Sequence, residues 1–428
     1  MLKIYHILIL FFLIFNFRVP LFHNSILLSF FMILPLLLFG QNYLNIFTTF
    51  LKTKFFFRLL SISILLIIWF VIFAKLQGTF DYSFSMRLTM LTIGLVISIM
   101  FLSITSNQQL EKNNYLLKLL FIIFSIQGLI QILGLINHDF FEFIQLFHNQ
   151  DDSRAVSEIA KFGGLRGGAL AGDLFFSLSI SYGLIFFLYV KFIIDKESFQ
   201  MIDGLNLLLY LIGMFTSARI GYLGVLLSFI YFLIVQKVDW NSRIYSFFKF
   251  FFYLLSLISI VYFILPDNIL DIILNKLLPF AFEFLYNYVD KGDFSTASTS
   301  HLSEEMFIYP STLETWFVGD GRMVGLDGKY YMHTDAGYSR ILFYFGIYGI
   351  IILFLYQLLF FPYKNYEIKG NFFLEKNYFK TSFLIFFYIA LINIKGMALG
   401  IIVSINLIII FSLFDIRQFY NKELMWEK

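Results

Sequence analysis

Cysteine is absent from the 428 residues. Without a thiol, neither a disulfide framework nor a thiolate metal site can form, whichever compartment the loops face. Charge is scarce as well: only 14% of the residues are Asp, Glu, Lys or Arg, against roughly a quarter in an ordinary soluble domain. The net charge of +3 is small and scattered, without the basic stripe that nucleic-acid binding needs, so no nucleic-acid partner is expected. The histidines His6, His23, His138, His148, His301 and His333 contain no His-x-x-x-His pair that would grip a metal from one helix face. No metal or other cofactor is expected. Internal repeats and low-complexity tracts are missing too, as is the period-2 alternation that spanning strands require.

What remains is apolar: 59% of the residues are hydrophobic and 21% aromatic. Only helices or closed barrels satisfy the backbone inside a bilayer, and a crossing helix needs about 20 apolar residues. The apolar runs place helices near Ile4 to Phe17, Leu21 to Phe39, Leu59 to Leu76, Arg87 to Thr105, Tyr115 to Ile136 and Ala169 to Val190. They continue at Gly204 to Ser217, Ile220 to Gln236, Phe247 to Leu265, Tyr338 to Phe361, Ser382 to Ile394 and Met397 to Phe414. The expectation is an all-α, polytopic transmembrane bundle of about 12 helices, forming a single membrane domain over 1–428. Met1 to Phe17 has Lys3 before an apolar run, as a signal peptide does. Asn16, Phe17 and Arg18 follow in place of small cleavage-site residues, so it reads as a retained first helix.

Positive residues favour the cytoplasmic side. With the amino terminus inside, most of them, among them Lys3, Lys52, Lys54, Arg58, Lys237, Arg243, Lys364, Lys369 and Lys428, fall on that face. Arg18, Lys75, Arg87, Arg219 and Lys395 are left at the short loops and helix ends opposite, where Lys75, Arg87 and Lys395 read as snorkelling residues. Both termini are therefore expected in the cytoplasm. The two long polar stretches, 137–168 and 266–337, become external loops, the places where chemistry can be presented beside a lipid-facing bundle. Within the second, Asn268 to Tyr288 is amphipathic, with Asp271, Lys276 and Glu283 opposing an isoleucine-rich face, and is expected along the membrane surface.

Four constellations could carry chemistry. Gly163, Gly164, Gly167, Gly168 and Gly172 crowd around Arg166; glycine lets backbone approach closely, and a guanidinium forks onto phosphate. Thr216-Ser217-Ala218-Arg219 sits between two apolar runs, where an arginine costs about 2 kcal/mol or more unless paired or hydrated. Tyr331 to Arg340 closes the second loop: His333 or Asp335 could take a proton from a sugar hydroxyl, and Arg340 could bind phosphate or orient Asp335. Thr334 or Asp335 would equally serve to cap the helix that follows. Lastly, Glu304, Glu305, Glu314, Trp316, Asp320 and Asp327 combine carboxylates with an aromatic platform, a mixture suited to carbohydrate and common in exposed loops.

Together these segments resemble the O-antigen polymerase (Wzy) and O-antigen ligase superfamily of membrane glycosyltransferases. Arg166 matches the arginine of the first external loop and Arg219 that of the helix-hairpin motif. Asp335-Ala336-Gly337-Tyr338, with Gly346 and Gly349, matches the end of the second loop. Ligases usually carry histidine followed by asparagine where this chain has Asp335, which points to the polymerase branch. The resemblance implies transfer of a growing glycan from undecaprenyl diphosphate to a lipid-linked repeat unit, at the external face of a bacterial cytoplasmic (inner) membrane. Arg166, Arg219 and Arg340 would bind the diphosphate, and Asp335, with His333 as runner-up, would activate the acceptor hydroxyl. Membrane lipid, a chain-length regulator and a flippase are the implied partners. The alternatives are an O-antigen ligase or a lipid-linked sugar transporter. Transporters place charges deep in their helices and repeat two-fold, whereas here the charges gather at the rim.

Overall fold

The computed structural model describes residues 2–20, 22, 24–111, 114–148, 168–172, 174–196, 200–234, 267–325, 328–362 and 372–414, with isolated positions between 245 and 263. Among these the elements are helical, and the strand pairing is limited to an isolated antiparallel bridge between Val324 and Tyr330. Five helices are long and apolar enough to cross a membrane: Lys54–Leu76, Ser83–Gln109, Tyr115–Ile136, Phe176–Ile194 and Gly337–Leu358. Ser25–Phe39 with Gln41–Lys52, bent by 113°, brings the number to 6 if the pair is one span. The all-helical, membrane-suited character matches expectation, while the number of crossing-length helices among the described residues falls well short of a dozen.

Length accounts for much of the difference. Four expected crossings are apolar helices too short to span alone, Lys3–Phe15, Ile202–Ser217, Arg219–Ile234 and Val403–Leu413. The last begins well after Met397 because the chain before it turns. The Asn393 carboxamide accepts the amides of Ala398 and Leu399 at 2.8 and 3.1 Å, and Gly400 takes a φ of +69°. The expected span Phe247 to Leu265 falls largely outside the described residues. Gln41–Lys52 is a helix the apolar runs did not announce. Gln41, Asn42, Asn45 and Lys52 share it with Leu44, Ile46 and Phe47, the mixed pattern of a helix lying at an interface.

Two features position the helix ends that carry the loops. Phe176–Lys196 and Tyr222–Ile234 meet through glycine: a Cβ on Gly224 would stand 2.1 Å from the Gly183 carbonyl oxygen. Such small residues let helix backbones touch within a membrane, where dispersion replaces the hydrophobic effect as the packing force. Ser179 then clamps the hairpin above this contact, donating its hydroxyl to the Ala218 carbonyl and accepting the Gly221 amide at 3.1 Å. The second feature is a break inside Gly337–Leu358 at Gly346, which has φ +67° and ψ −166°. Asp320 donates its amide to the Phe343 carbonyl at 2.6 Å and Gly321 to that of Tyr344 at 3.1 Å. Irregular backbone at membrane depth survives only where protein satisfies it in this way.

Loops from distant parts of the chain interlock at this end. The Arg18 amide donates to the Phe147 carbonyl at 3.0 Å and the Gly172 amide to Phe15 at 2.9 Å. Thr79 donates to the Gly321 carbonyl at 2.7 Å, and the Asp81 carboxylate accepts the amides of Met323 and Val324 at 2.6 and 3.1 Å. The second long loop is thus fastened to the short one between Lys54–Leu76 and Ser83–Glu111.

Candidate functional site

The hairpin serine clamp fixes where Arg219 points. Its guanidinium pairs with Glu283, donates to the Ser298 hydroxyl at 3.3 Å and lies 4.8 Å from the centre of the Phe280 ring. Ser298 receives a second cation, the Lys395 ammonium, at 3.2 Å. Glu283 in turn accepts the Ala297 amide at 2.7 Å. Arg219, Lys395 and the Ala297 amide therefore converge as donors around the Ser298 hydroxyl and the Glu283 carboxylate. Tyr222 steadies the arrangement by donating to the Ala281 carbonyl at 2.9 Å. The side chains of Arg219 and Glu283 retain 15% and 24% exposure. Water still reaches the pair, so the cluster is open to a ligand.

Several distant segments adjoin it. The Gln131 amide reaches Ser217, two residues from Arg219, at 3.4 Å, and Tyr182 donates to the other end of the same carboxamide at 3.1 Å. Gly168 packs against Gln131, since a Cβ there would lie 3.5 Å from the Gln131 carbonyl oxygen. The end of the first glycine-rich loop is thereby brought close to the Arg219 hairpin. Arg166 itself lies outside the described residues, as does Asp327. On the other flank, Gly337 is pressed against the backbone of Asn393 and Gly396, beside Lys395.

Asp335 is half-buried just before this contact, with its amide directed at the Met306 sulfur at 3.2 Å. The cap position of Gly337–Leu358 is Ala336, whose own side chain makes no cap bond; the Thr334 hydroxyl accepts the Ala336 amide at 3.2 Å and donates to the Met306 carbonyl at 2.5 Å. His333 is exposed, and both it and Met332 adopt φ of 55°. Left-handed backbone at two successive residues with side chains costs of order 1–3 kcal/mol each, and such strain gathers where geometry is held for a purpose.

Arg340 lies in the first turn of Gly337–Leu358. It is 8% exposed, and the Tyr330 ring covers its guanidinium with 3.8 Å between them. Lys395, by contrast, carried no functional expectation. A lysine after an apolar run looks like a snorkelling helix end, and nothing in the sequence announces that Ser298, 97 residues away, meets it. Among the described residues, no group of three or more His, Asp or Glu is placed to hold a metal ion. The chain matches no family model, no curated protein and no solved structure.

Proposed function

We propose that this chain is a membrane glycosyltransferase, a polysaccharide polymerase that moves a glycan from undecaprenyl diphosphate onto a lipid-linked repeat unit at the external face of the cytoplasmic membrane. The observation that supports it best is the meeting of Arg219 and Lys395 on the Ser298 hydroxyl. Two cations, a hydroxyl and an amide in one outer cluster suit a diphosphate, whose oxygens take charge-assisted bonds from several directions.

In the transfer, the bond between the anomeric carbon and the diphosphate oxygen breaks, and a bond to the acceptor oxygen forms. The acceptor proton passes to Asp335, or to His333 as second candidate. Negative charge grows on the departing diphosphate, and Arg219 and Lys395 offset it more strongly there than in the ground state, which is what lowers the barrier. Asp335 suits the base role because it is half-buried and adjoins the Gly337–Gly396 contact next to Lys395. A ligase would use the same donor site with a different acceptor.

The test is glycan chain length on gels from cells carrying Arg219→Lys. A point charge replaces a bidentate fork poorly, so short or absent chains are expected. Wild-type length would remove Arg219 from the diphosphate site.

A further inference from the structure

The second long loop carries a segment, Tyr309 to Gly321, whose surface is apolar where a loop in water would be polar. Its short helix Leu313–Phe317 starts at Thr312, whose hydroxyl accepts the Thr315 amide at 3.2 Å. Positions 313, 316 and 317 share one face at helical spacing. On that face Leu313 is 76% and Phe317 49% exposed. Thr315, on the opposite face, donates to Asp320 at 2.7 Å. The Trp316 indole N–H is taken up by the Pro310 carbonyl at 2.9 Å, and its ring lies parallel to that of exposed Tyr309, 6.0 Å between centres. The hydrogen-bonding edges are thus spent within the loop, and the apolar bodies are left outside.

The neighbours of this face indicate what covers it. On one side the Phe317 ring lies 6.2 Å from Tyr348 of the crossing-length helix Gly337–Leu358. Tyr348, Ile351 and Leu355 follow one another along one face of that helix, and all three are exposed. On the other side Gln77 donates to the Gly319 carbonyl at 3.4 Å and Thr79 to that of Gly321 at 2.7 Å. These bonds tie the segment to the end of Lys54–Leu76, where Trp69, Ile72 and Leu76 form a second exposed stripe at the same spacing. An apolar stripe on a helix of crossing length faces acyl chains. The segment bridges two such stripes at their loop ends. Its tyrosine and tryptophan are the residues that collect at the boundary of bilayer and water, where a ring can be in lipid and its polar edge out of it.

We propose that Leu313, Phe317 and Val318 insert into the lipid interface on this side of the membrane, so that the stretch 309–321 is an in-plane anchor for the second loop. Glu314, exposed beside Leu313, marks the headgroup level. Asp320 and Gly321, which bond the Phe343 and Tyr344 carbonyls, connect the anchor to the break at Gly346 and so fix the height of the loop over the bilayer. The inference does not depend on the polymerase assignment.

The chain has no cysteine of its own, so a nitroxide can be attached at a single introduced cysteine in full-length protein reconstituted into phosphatidylcholine liposomes. Leu313→Cys and Phe317→Cys are compared with Ile351→Cys on the lipid-facing stripe and with Asp293→Cys in the exposed part of the loop. Molecular oxygen concentrates among acyl chains, and a nickel chelate stays in water. The ratio of collisions with oxygen to collisions with the chelate should be several-fold higher at 313 and 317 than at 293, and close to that at 351. A ratio equal to that at 293 would place the segment in water and overturn the proposal. An immobilised label shielded from both reagents would mean that protein, another segment or a second copy, covers the face, and would overturn it equally. Leu313 is mostly exposed, so its variant keeps the fold even if loss of the Phe317–Tyr348 contact loosens the other.

Discussion

Glu283 occupies the guanidinium that the proposed donor must engage. A carboxylate is already seated there, and an arriving anion has to compete with it. Glu283→Gln is therefore expected to tighten the binding of inorganic pyrophosphate, by about tenfold, as measured by calorimetry on the purified protein. A scaffold role alone predicts the opposite sign, because loss of the ion pair would loosen Arg219. Glu283 is visible in the sequence only as a polar position of an amphipathic helix, since a partner 64 residues away leaves no local trace.

Two further residues make the loops sensitive to acid. Burial pushes the His148 pKa down from 6.5, outweighing the bond between its Nε2 and the Ala169 carbonyl at 2.8 Å. Burial works against the Asp81 carboxylate, yet the Ser83 hydroxyl and the amides of Met323, Ser83 and Val324 prevail and hold its pKa below 3.8. Both folded values are depressed, so both contributions are complete above the unfolded values and are lost as pH falls through the folded ones. Histidine acts first. Protection of the amides at residues 168–172, taken relative to the intrinsic exchange rate at each pH, should fall as pH drops below 6.5, and His148→Gln should remove that dependence. Protection that is independent of pH in the wild type would contradict this account of the anchor.

At the scale of elements, what was legible followed apolar run length. Tyr115–Ile136 falls where the sequence placed it, and Lys54–Leu76 begins five residues before the expected Leu59 because Thr53 accepts the Phe56 amide as its cap. Gln41–Lys52 escaped because a one-sided apolar pattern with four or more polar positions looks like a loop when scanned for continuous runs. The break at Gly346 was legible as a pair of glycines, Gly346 and Gly349, but not as a break, since its cause is the loop segment Phe317 to Gly321 arriving from outside the helix. A Cβ on Gly346 would stand 2.1 Å from the Phe317 carbonyl oxygen, at a backbone angle open mainly to glycine. Gly224 meets Gly183 as closely. Gly224→Ala and Gly346→Ala should each cost about 1–3 kcal/mol or more through overpacking and strain, read as a lowered midpoint in thermal unfolding in detergent. A midpoint within a degree or so of wild type would show that these helices are not held at glycine contact.

At the scale of the molecule, the Asp, Glu, Lys and Arg side chains among the described residues lie mostly in loops or toward helix ends, the Arg219 cluster, Asp335 and Arg340 among them. That concentration was legible in outline, because charges rim the apolar runs. The pairing of Lys395 with Ser298 was not, since it depends on which loops fold together. The absence of cysteine makes sidedness directly measurable. Asp293→Cys and Arg322→Cys should react with an impermeant thiol reagent from outside intact cells, and Lys52→Cys only after permeabilisation. Labelling of all three from one side would invalidate the orientation.

The central claim is that the Arg219 and Lys395 cluster holds a lipid diphosphate during glycan transfer. Purified protein mixed with an undecaprenyl-diphosphate-linked repeat unit should yield longer lipid-linked products, and Lys395→Gln should slow their formation about 10²- to 10³-fold, the loss seen when one donor to a developing anion is removed. Elongation at the wild-type rate in both Lys395→Gln and Arg219→Lys, or no elongation by the wild type itself, would contradict the account.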